Sequence, residues 1–166
     1  MSHRTNGILR HDELVGRLPS EERLRLGPIA IIECVENIPC NPCVDACPRG
    51  AISIDGDINE TPAVDGERCN GCRVCLSACP GLAIFVVDAG DGQRQATVSL
   101  PYEYRPLPET GEAVDAVDRE GAVVCEARVA SVLDTKALDR TPIVAIEIPR
   151  EHVMTVRHFR RRSQDQ

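Results

Sequence analysis

Cys69-Asn-Gly-Cys72-Arg-Val-Cys75-Leu-Ser-Ala-Cys79-Pro80 decides how the rest of this 166-residue sequence is read. The spacing is C-x2-C-x2-C-x3-C-P. Three thiols two residues apart let one short loop wrap a single face of a compact metal cluster. The fourth lies about 6 Å beyond the third if that stretch takes a helical turn, so it points away from the other three. The proline that follows has no backbone N–H and turns the chain outward.

A related stretch lies upstream: Cys34-Val-Glu-Asn-Ile-Pro-Cys40-Asn-Pro-Cys43-Val-Asp-Ala-Cys47-Pro48. A shift of 32 residues carries Cys40, Cys43 and Cys47 onto Cys72, Cys75 and Cys79, and CPRGAISI onto CPGLAIFV. Asn37 stands where the shift would place a thiol, and Cys34 lies three positions before it. The sequence therefore contains an internal repeat with one loop enlarged.

Eight of the nine cysteines belong to these two groups; Cys125 stands apart. The N-terminal stretch MSHRTNGILRHDELVG has no apolar core of a secretory signal and no twin-arginine pair, so the chain is expected to be in the cytoplasm. Thiols stay reduced there, so clustered cysteines read as metal ligands rather than disulfides. Structural zinc sites come as two separated C-x2-4-C pairs, a poor match to two triplets each followed by a distant Cys-Pro. Two [4Fe–4S] clusters held by Cys34, Cys40, Cys43, Cys47, Cys69, Cys72, Cys75 and Cys79 is the stronger reading.

On these motifs, residues from about 29 to 87 resemble the bacterial-type two-cluster [4Fe–4S] ferredoxin domain. In that family the fourth cysteine of each run ligates the other cluster. The resemblance implies one cluster on Cys34, Cys40, Cys43 and Cys79, and a second on Cys69, Cys72, Cys75 and Cys47.

Composition closes off other classes. A net charge of −7 with no Trp, two Tyr and two Phe offers neither the positive charge nor the stacking aromatics of a nucleic-acid binder. The apolar runs, Pro28–Ile32 and Leu82–Val87 among them, fall far short of the roughly 20 residues needed to span a bilayer. No G-x-G-x-x-G fingerprint occurs, no carboxylate pair stands beside a nucleophile, and no catalytic residue is expected.

Along the chain, residues 1–28 read as an N-terminal docking arm with a short helix, N-capped by Ser20 and closed by Gly27-Pro28. Residues 29–88 read as the cluster domain with a pseudo-two-fold repeat. It should hold strands at Ile29–Ile32 and Leu82–Val87 and a hairpin from Ala51–Ile54 through Asp55-Gly56 to Ile58 onward. Residues 89–158 carry β-branched runs at Gln95–Leu100, Ala113–Val117, Ala122–Leu133, Ile143–Ile148 and Val153–Val156. Turn residues separate them, which predicts a small all-β barrel or sandwich domain. The fold class expected is thus α+β.

Residues 159–166 read as a basic tail, part of the run Arg157-His-Phe-Arg-Arg-Arg162, either solvated or docked on an acidic partner. Cys125, beside Val124, reads as a buried small hydrophobe. His3, His11, His152 and His158 show no metal-site spacing and read as solvated surface.

Clusters fully ligated by cysteine leave no iron site for a substrate, so the chemistry expected is one-electron transfer. The appendages on both sides of the cluster domain suit a member of an assembled complex better than a free ferredoxin or a non-redox assembly module with structural clusters. Through IECVENIPCNPC (32–43) and DREGAVVCEA (118–127), the whole chain resembles iron–sulfur subunits of multisubunit FAD-dependent amine or amino-acid dehydrogenases. That group includes the proline, hydroxyproline and hydrogen-cyanide-synthase-like enzymes. The resemblance implies an FAD-containing dehydrogenase subunit as partner and leaves room for a further iron–sulfur subunit.

Overall fold

The computed structural model describes residues 3–162. Nine strands, four short α-helices and three 3-10 turns occur among them: β1 (Ile29–Ile32), β2 (Ile52–Ser53), β3 (Ala63–Val64), β4 (Ile84–Asp88), β5 (Gln95–Pro101), β6 (Ala113–Val117), β7 (Val123–Leu133), β8 (Ile143–Pro149) and β9 (His158–Arg161), with α1 (His3–Asn6), α2 (Glu21–Arg25), α3 (Pro42–Asp45) and α4 (Val74–Ala78), and the 3-10 turns at His11–Leu14, Lys136–Leu138 and Arg150–His152. No helix among the described residues is long and apolar enough to cross a membrane.

Seven strands form one antiparallel sheet in the order β1-β4-β5-β8-β7-β6-β9, while β2 and β3 make a separate two-residue ladder. The C-terminal strands thus extend the sheet that begins within the cysteine-bearing segment. Every residue of β1 is buried, and its alternate side chains enter different cores. Ile29 and Ile31 join Val87, Val98, Leu100, Val114, Val144, Ile146, Ile148 and Phe159 in the larger core. Ala30 and Ile32 face the other way, onto Ile84, Val86, Leu76, Cys43 and Cys75. A strand apolar at every position is what burial on both faces requires. The β1–β4 pair is therefore a wall with the large apolar core behind it and α3 and α4 in front.

The edge strands β1 and β9 are brought together by side chains. Glu33, directly after β1, is 7% exposed, and Arg157, directly before β9, is 4% exposed. Arg157 Nε donates to Glu33 Oε1 at 2.5 Å, and Arg119 completes the triad with Nε to Oε2 at 2.8 Å. The Arg157 guanidinium also lies 5.3 Å from the centre of the Phe85 ring, while its Nη1 donates to the carbonyls of Val153 and Val156. The sheet curls around its core and an ion triad spans the gap.

Several expected elements stand where the residues dictated. Ser20 Oγ accepts from the Arg23 N–H as N-cap of α2, and Gly27 takes φ +111 to end it. Others need correction. The strand expected from Ile58 onward begins only at Ala63, because the Asp57 carboxylate accepts from the Asn59 N–H and holds residues 57–60 in a turn. The strand expected from Leu82 starts at Ile84, since Leu82 sits at φ +52 in the turn after Cys79-Pro80. Val153–Val156 is not a strand. It continues the helical turn of Arg150–His152, with the Val156 N–H bonded to the His152 carbonyl, and it buries both valines.

The basic run is also not a solvated tail. Arg157 and Phe159 are buried and β9 pairs with β6. Arg161 pairs with Glu112, and Arg162 with Asp115 and Glu126. The remainder of that tail, 163–166, lies outside the described residues. Of the histidines, only His11 is exposed. His3 Nδ1 sits 2.8 Å from Glu13, and His158 stacks beside Tyr102 and Phe159, so these two are held in contacts rather than solvated.

Candidate metal centre

The eight clustered cysteines lie in front of the β1–β4 wall. Cys43 and Cys75 occupy the second positions of α3 and α4 and are buried, at 8% and 6% exposure. Cys72 is exposed; Cys34, Cys40, Cys47, Cys69 and Cys79 are half-buried. The turns that follow Cys47 and Cys79 share one backbone geometry. Gly50 and Leu82 have φ +55 and +52, and their N–H groups bond the carbonyls of Cys47 and Cys79. The next N–H in each turn points at sulfur: Ala51 to Cys47 Sγ at 3.2 Å and Ala83 to Cys79 Sγ at 3.4 Å.

The cysteines fall into two neighbourhoods, and each takes one member from the other's sequence run. Burial pushes the Cys43 thiol up to about 11, and nearby Cys79 and Cys40 push it the same way. Cys34 is raised by burial and by the same two neighbours. Burial drives Cys75 up to about 12, helped by Cys72, Cys69 and Cys47. Those four line one cavity together with Ala30, Pro48, Ala51, Gly71 and Val86. Cys47 shifts downward: burial alone would raise it, but N–H groups of residues 49–52 outweigh that. Cys79 therefore sits with the first run and Cys47 with the second.

Thiols this deeply buried stay protonated unless a metal supplies the compensating charge, and a coordinating thiol loses its proton outright. All-sulfur quartets suit zinc or iron–sulfur clusters. Among the described residues no three His, Cys, Asp or Glu side chains converge tightly enough for a single ion. A multi-iron cluster carries its thiolates on separate corners and accepts that wider spread, so the residues present fit such a group.

Arginines from outside the cysteine segment hold its loops. Arg23 of α2 donates to the carbonyls of Gly66 (2.5 Å), Gly27 (3.0 Å), Pro28 (3.1 Å) and Cys69 (2.8 Å). Arg17 donates to the Cys34 carbonyl at 2.9 Å and to Thr61 at 2.7 Å. The N-terminal arm thus packs on its own chain, with Leu14 and Leu24 buried. Gly71 sits at φ +65, and a Cβ there would lie 2.5 Å from Pro28 Cβ. The enlarged loop is pinned by Asn37 Nδ2, which donates to the Asn59 carbonyl at 3.3 Å.

Cys125 packs half-buried against the large core from β7, opposite Ala116 of β6, and burial raises its pKa. Sequence reasoning missed Arg17, Arg23, Arg119 and Arg157, whose partners lie far along the chain. Glu33 did leave a trace: it is the one charge between the apolar run of β1 and Cys34.

Comparison with known proteins points the same way. An uncharacterised ferredoxin of Methanocaldococcus jannaschii is 44% identical over 59 residues, covering 36% of this chain and 34% of that protein. A selenate reductase subunit of Mesobacillus selenatarsenatis is 33% identical over 104 residues, 60% of this chain and 32% of that one. The electron transport protein HydN of Escherichia coli K12 is 48% identical over 46 residues, 28% of this chain and 25% of that one. The chain spans about a third or less of the length of these relatives. No solved structure matches. The segment 34–83, which carries all eight clustered cysteines, matches the family of 4Fe-4S dicluster domains.

Proposed function

We propose that this chain is the electron-transfer iron–sulfur subunit of a cytoplasmic oxidoreductase complex. Cys34, Cys40, Cys43 and Cys79 hold one [4Fe–4S] cluster; Cys69, Cys72, Cys75 and Cys47 hold the other. The observation that carries this reading is the exchange of Cys79 and Cys47 between the two neighbourhoods. It is supported by relatives named as subunits of oxidoreductases, such as the polyferredoxin-like subunit of the aliphatic sulfonate oxidoreductase of Pyrococcus furiosus.

When bound, clusters of this kind supply reversible one-electron transfer. The chain's own residues do the rest. The N–H groups of Ala30, Ala51 and Ala83 donate to Cys69, Cys47 and Cys79 and stabilise negative charge on sulfur, the lever by which a protein sets such a potential. The β1–β4 wall keeps water from the inner thiols Cys43 and Cys75. Arg17 and Arg23 fix the two loops to the N-terminal arm. Residues 29–88 then form the cluster-bearing unit and 89–158 a β scaffold behind it.

The resemblance through IECVENIPCNPC and DREGAVVCEA makes an FAD-containing amine or amino-acid dehydrogenase subunit the electron donor in this reading. Anaerobic purification tests the function. The expected product is brown, contains iron and sulfide for two clusters, develops EPR signals on dithionite reduction, and co-elutes with a flavoprotein from its native source. A colourless, zinc-loaded chain, or clusters that stay EPR-silent at low potential, overturns it.

A further inference from the structure

Three arginines cluster at the solvent side of the second cysteine neighbourhood. Arg49 and Arg73 are the only charged residues lining the cavity formed with Cys47, Cys69, Cys72 and Cys75. Arg68 joins them: its Nη2 lies 3.1 Å from where a Cβ on Gly50 would stand. Arg49 and Arg68 are exposed and Arg73 half-buried. None of the three has an ion-pair partner among the described residues, whereas Arg119, Arg150, Arg157, Arg161 and Arg162 all do. Two exposed carboxylates lie on the same loop: Asp65, whose Oδ1 accepts from the N–H groups of Glu67 and Arg68, and Glu67, and neither is ion-paired to the three arginines.

Three unpaired cations around one mouth repel each other, and they stand on a chain of net charge −7. At the centre of the rim Cys72 is the exposed thiol of the eight, with Val74 41% exposed beside it. The first neighbourhood differs. Glu36 and Asp45 lie in its cysteine run, and Glu60 sits against Asn37.

We propose that Arg49, Arg68 and Arg73 form the docking surface for an acidic face of the protein that exchanges electrons through the Cys72 side. The inference rests on the electron-transfer reading above. Electron tunnelling falls off steeply with distance, so a partner must approach the ligand nearest solvent. A focused field of opposite sign raises the encounter rate and orients the partner without requiring a large apolar interface. Cys72 and Val74 form the contact centre and the arginines steer toward it. A partner that meets the first neighbourhood faces mixed charge instead, with Glu36 and Asp45 beside the exposed Arg17 on the Cys34 carbonyl.

The test uses small redox probes of opposite charge on the anaerobically prepared, cluster-loaded chain after dithionite reduction. One electron passes from the reduced protein to cobalt(III), giving cobalt(II). Oxidation by tris(oxalato)cobaltate(III), an anion, should slow as salt is added, although the net charge of the chain would by itself produce the opposite trend. In Arg49→Glu/Arg73→Glu that rate should fall by roughly tenfold at low salt while oxidation by hexaamminecobalt(III) rises. Iron content and the EPR signal, measured first, separate failure of this proposal from failure of the cluster reading. The neutral variant Arg49→Gln/Arg73→Gln serves if charge reversal impairs folding.

A second readout needs no electron transfer. Redox-inert hexacyanochromate(III) should broaden amide signals at 49–51 and 67–74 in the wild type and not in the variant. The proposal fails if wild-type oxidation by the anion speeds up with salt, or if cluster-loaded variants match wild type with both probes. It also fails if phosphatidylglycerol vesicles bind the rim while neither cobalt rate responds to its charge, which would make the rim a membrane contact.

Discussion

Replacing Glu33 by Gln isolates the device that joins the β-sheet to the first cysteine. Glu33 lies next to Cys34 in sequence, and its carboxylate is shared by Arg157 and Arg119. Gln preserves the shape but leaves Arg157, 4% exposed, as a buried cation without a counter-ion. Removing one member of a buried pair costs about 3–5 kcal/mol, because the partner's desolvation is no longer offset. For a chain of this length that corresponds to a drop in Tm of roughly 6–20 °C. The assay is thermal unfolding of the cluster-loaded protein under anaerobic conditions at a fixed scan rate, followed by circular dichroism and by cluster absorbance. The variant should melt lower and lose iron first from the site that contains Cys34. The double variant Glu33→Leu/Arg157→Met removes both charges and should lose less than Glu33→Gln alone. A Glu33→Gln protein within about 1 kcal/mol of wild type would refute the reasoning, since a buried arginine would then stand uncompensated at no cost.

Further outcomes follow from the same contacts. Burial alone would raise the Glu33 carboxyl, but hydrogen bonds from Arg119 and the charge of Arg157 hold it below its ordinary value of 4.5. A depressed folded pKa gives stability that is complete above the unfolded value and lost as pH falls through the folded one. The wild-type advantage over Glu33→Gln should therefore persist at neutral pH and shrink below pH 4.5, as read from paired melts. Gly71→Ala should lower both iron content and Tm, because its Cβ would strike Pro28 at 2.5 Å and φ is +65. Gly50→Ala should be much milder: its Cβ meets only the flexible end of Arg68, and Leu82 already carries a side chain at the equivalent turn. Cys125→Ser should leave iron content unchanged, since Cys125 packs from β7 against the large core; a fall in bound iron would refute that placement.

The cysteine spacing alone gave access to the cluster segment, because three close thiols and a Cys-Pro turn are local chemistry whose consequences the chain cannot evade. Runs such as Ala113–Val117 and Ile143–Ile148 were legible for the same reason: apolar β-branched stretches between turn residues form strands wherever they pack. What the sequence withheld is non-local. Nothing near Arg157 indicates that its partner is Glu33, 124 positions away, so a buried structural arginine reads as part of a solvated basic run. Nothing near Arg23 shows that it holds Cys69, 46 positions on. Val153–Val156 misled because a buried turn and a buried strand share the same apolar composition, and periodicity over four residues cannot separate them. The unbroken apolar run of β1 did carry its message, since burial on both faces is why it serves as the wall between the two cores.

Grouping by spectroscopy tests the crossed arrangement of thiols most directly. Cys79→Ala, Cys40→Ala, Cys47→Ala and Cys72→Ala, each reconstituted anaerobically, are compared by iron content and by EPR after reduction. If ligation is crossed, Cys79→Ala will match Cys40→Ala and Cys47→Ala will match Cys72→Ala, each pair having lost the same signal. If Cys79→Ala instead groups with Cys72→Ala, each sequence run serves its own cluster and the crossed assignment is wrong.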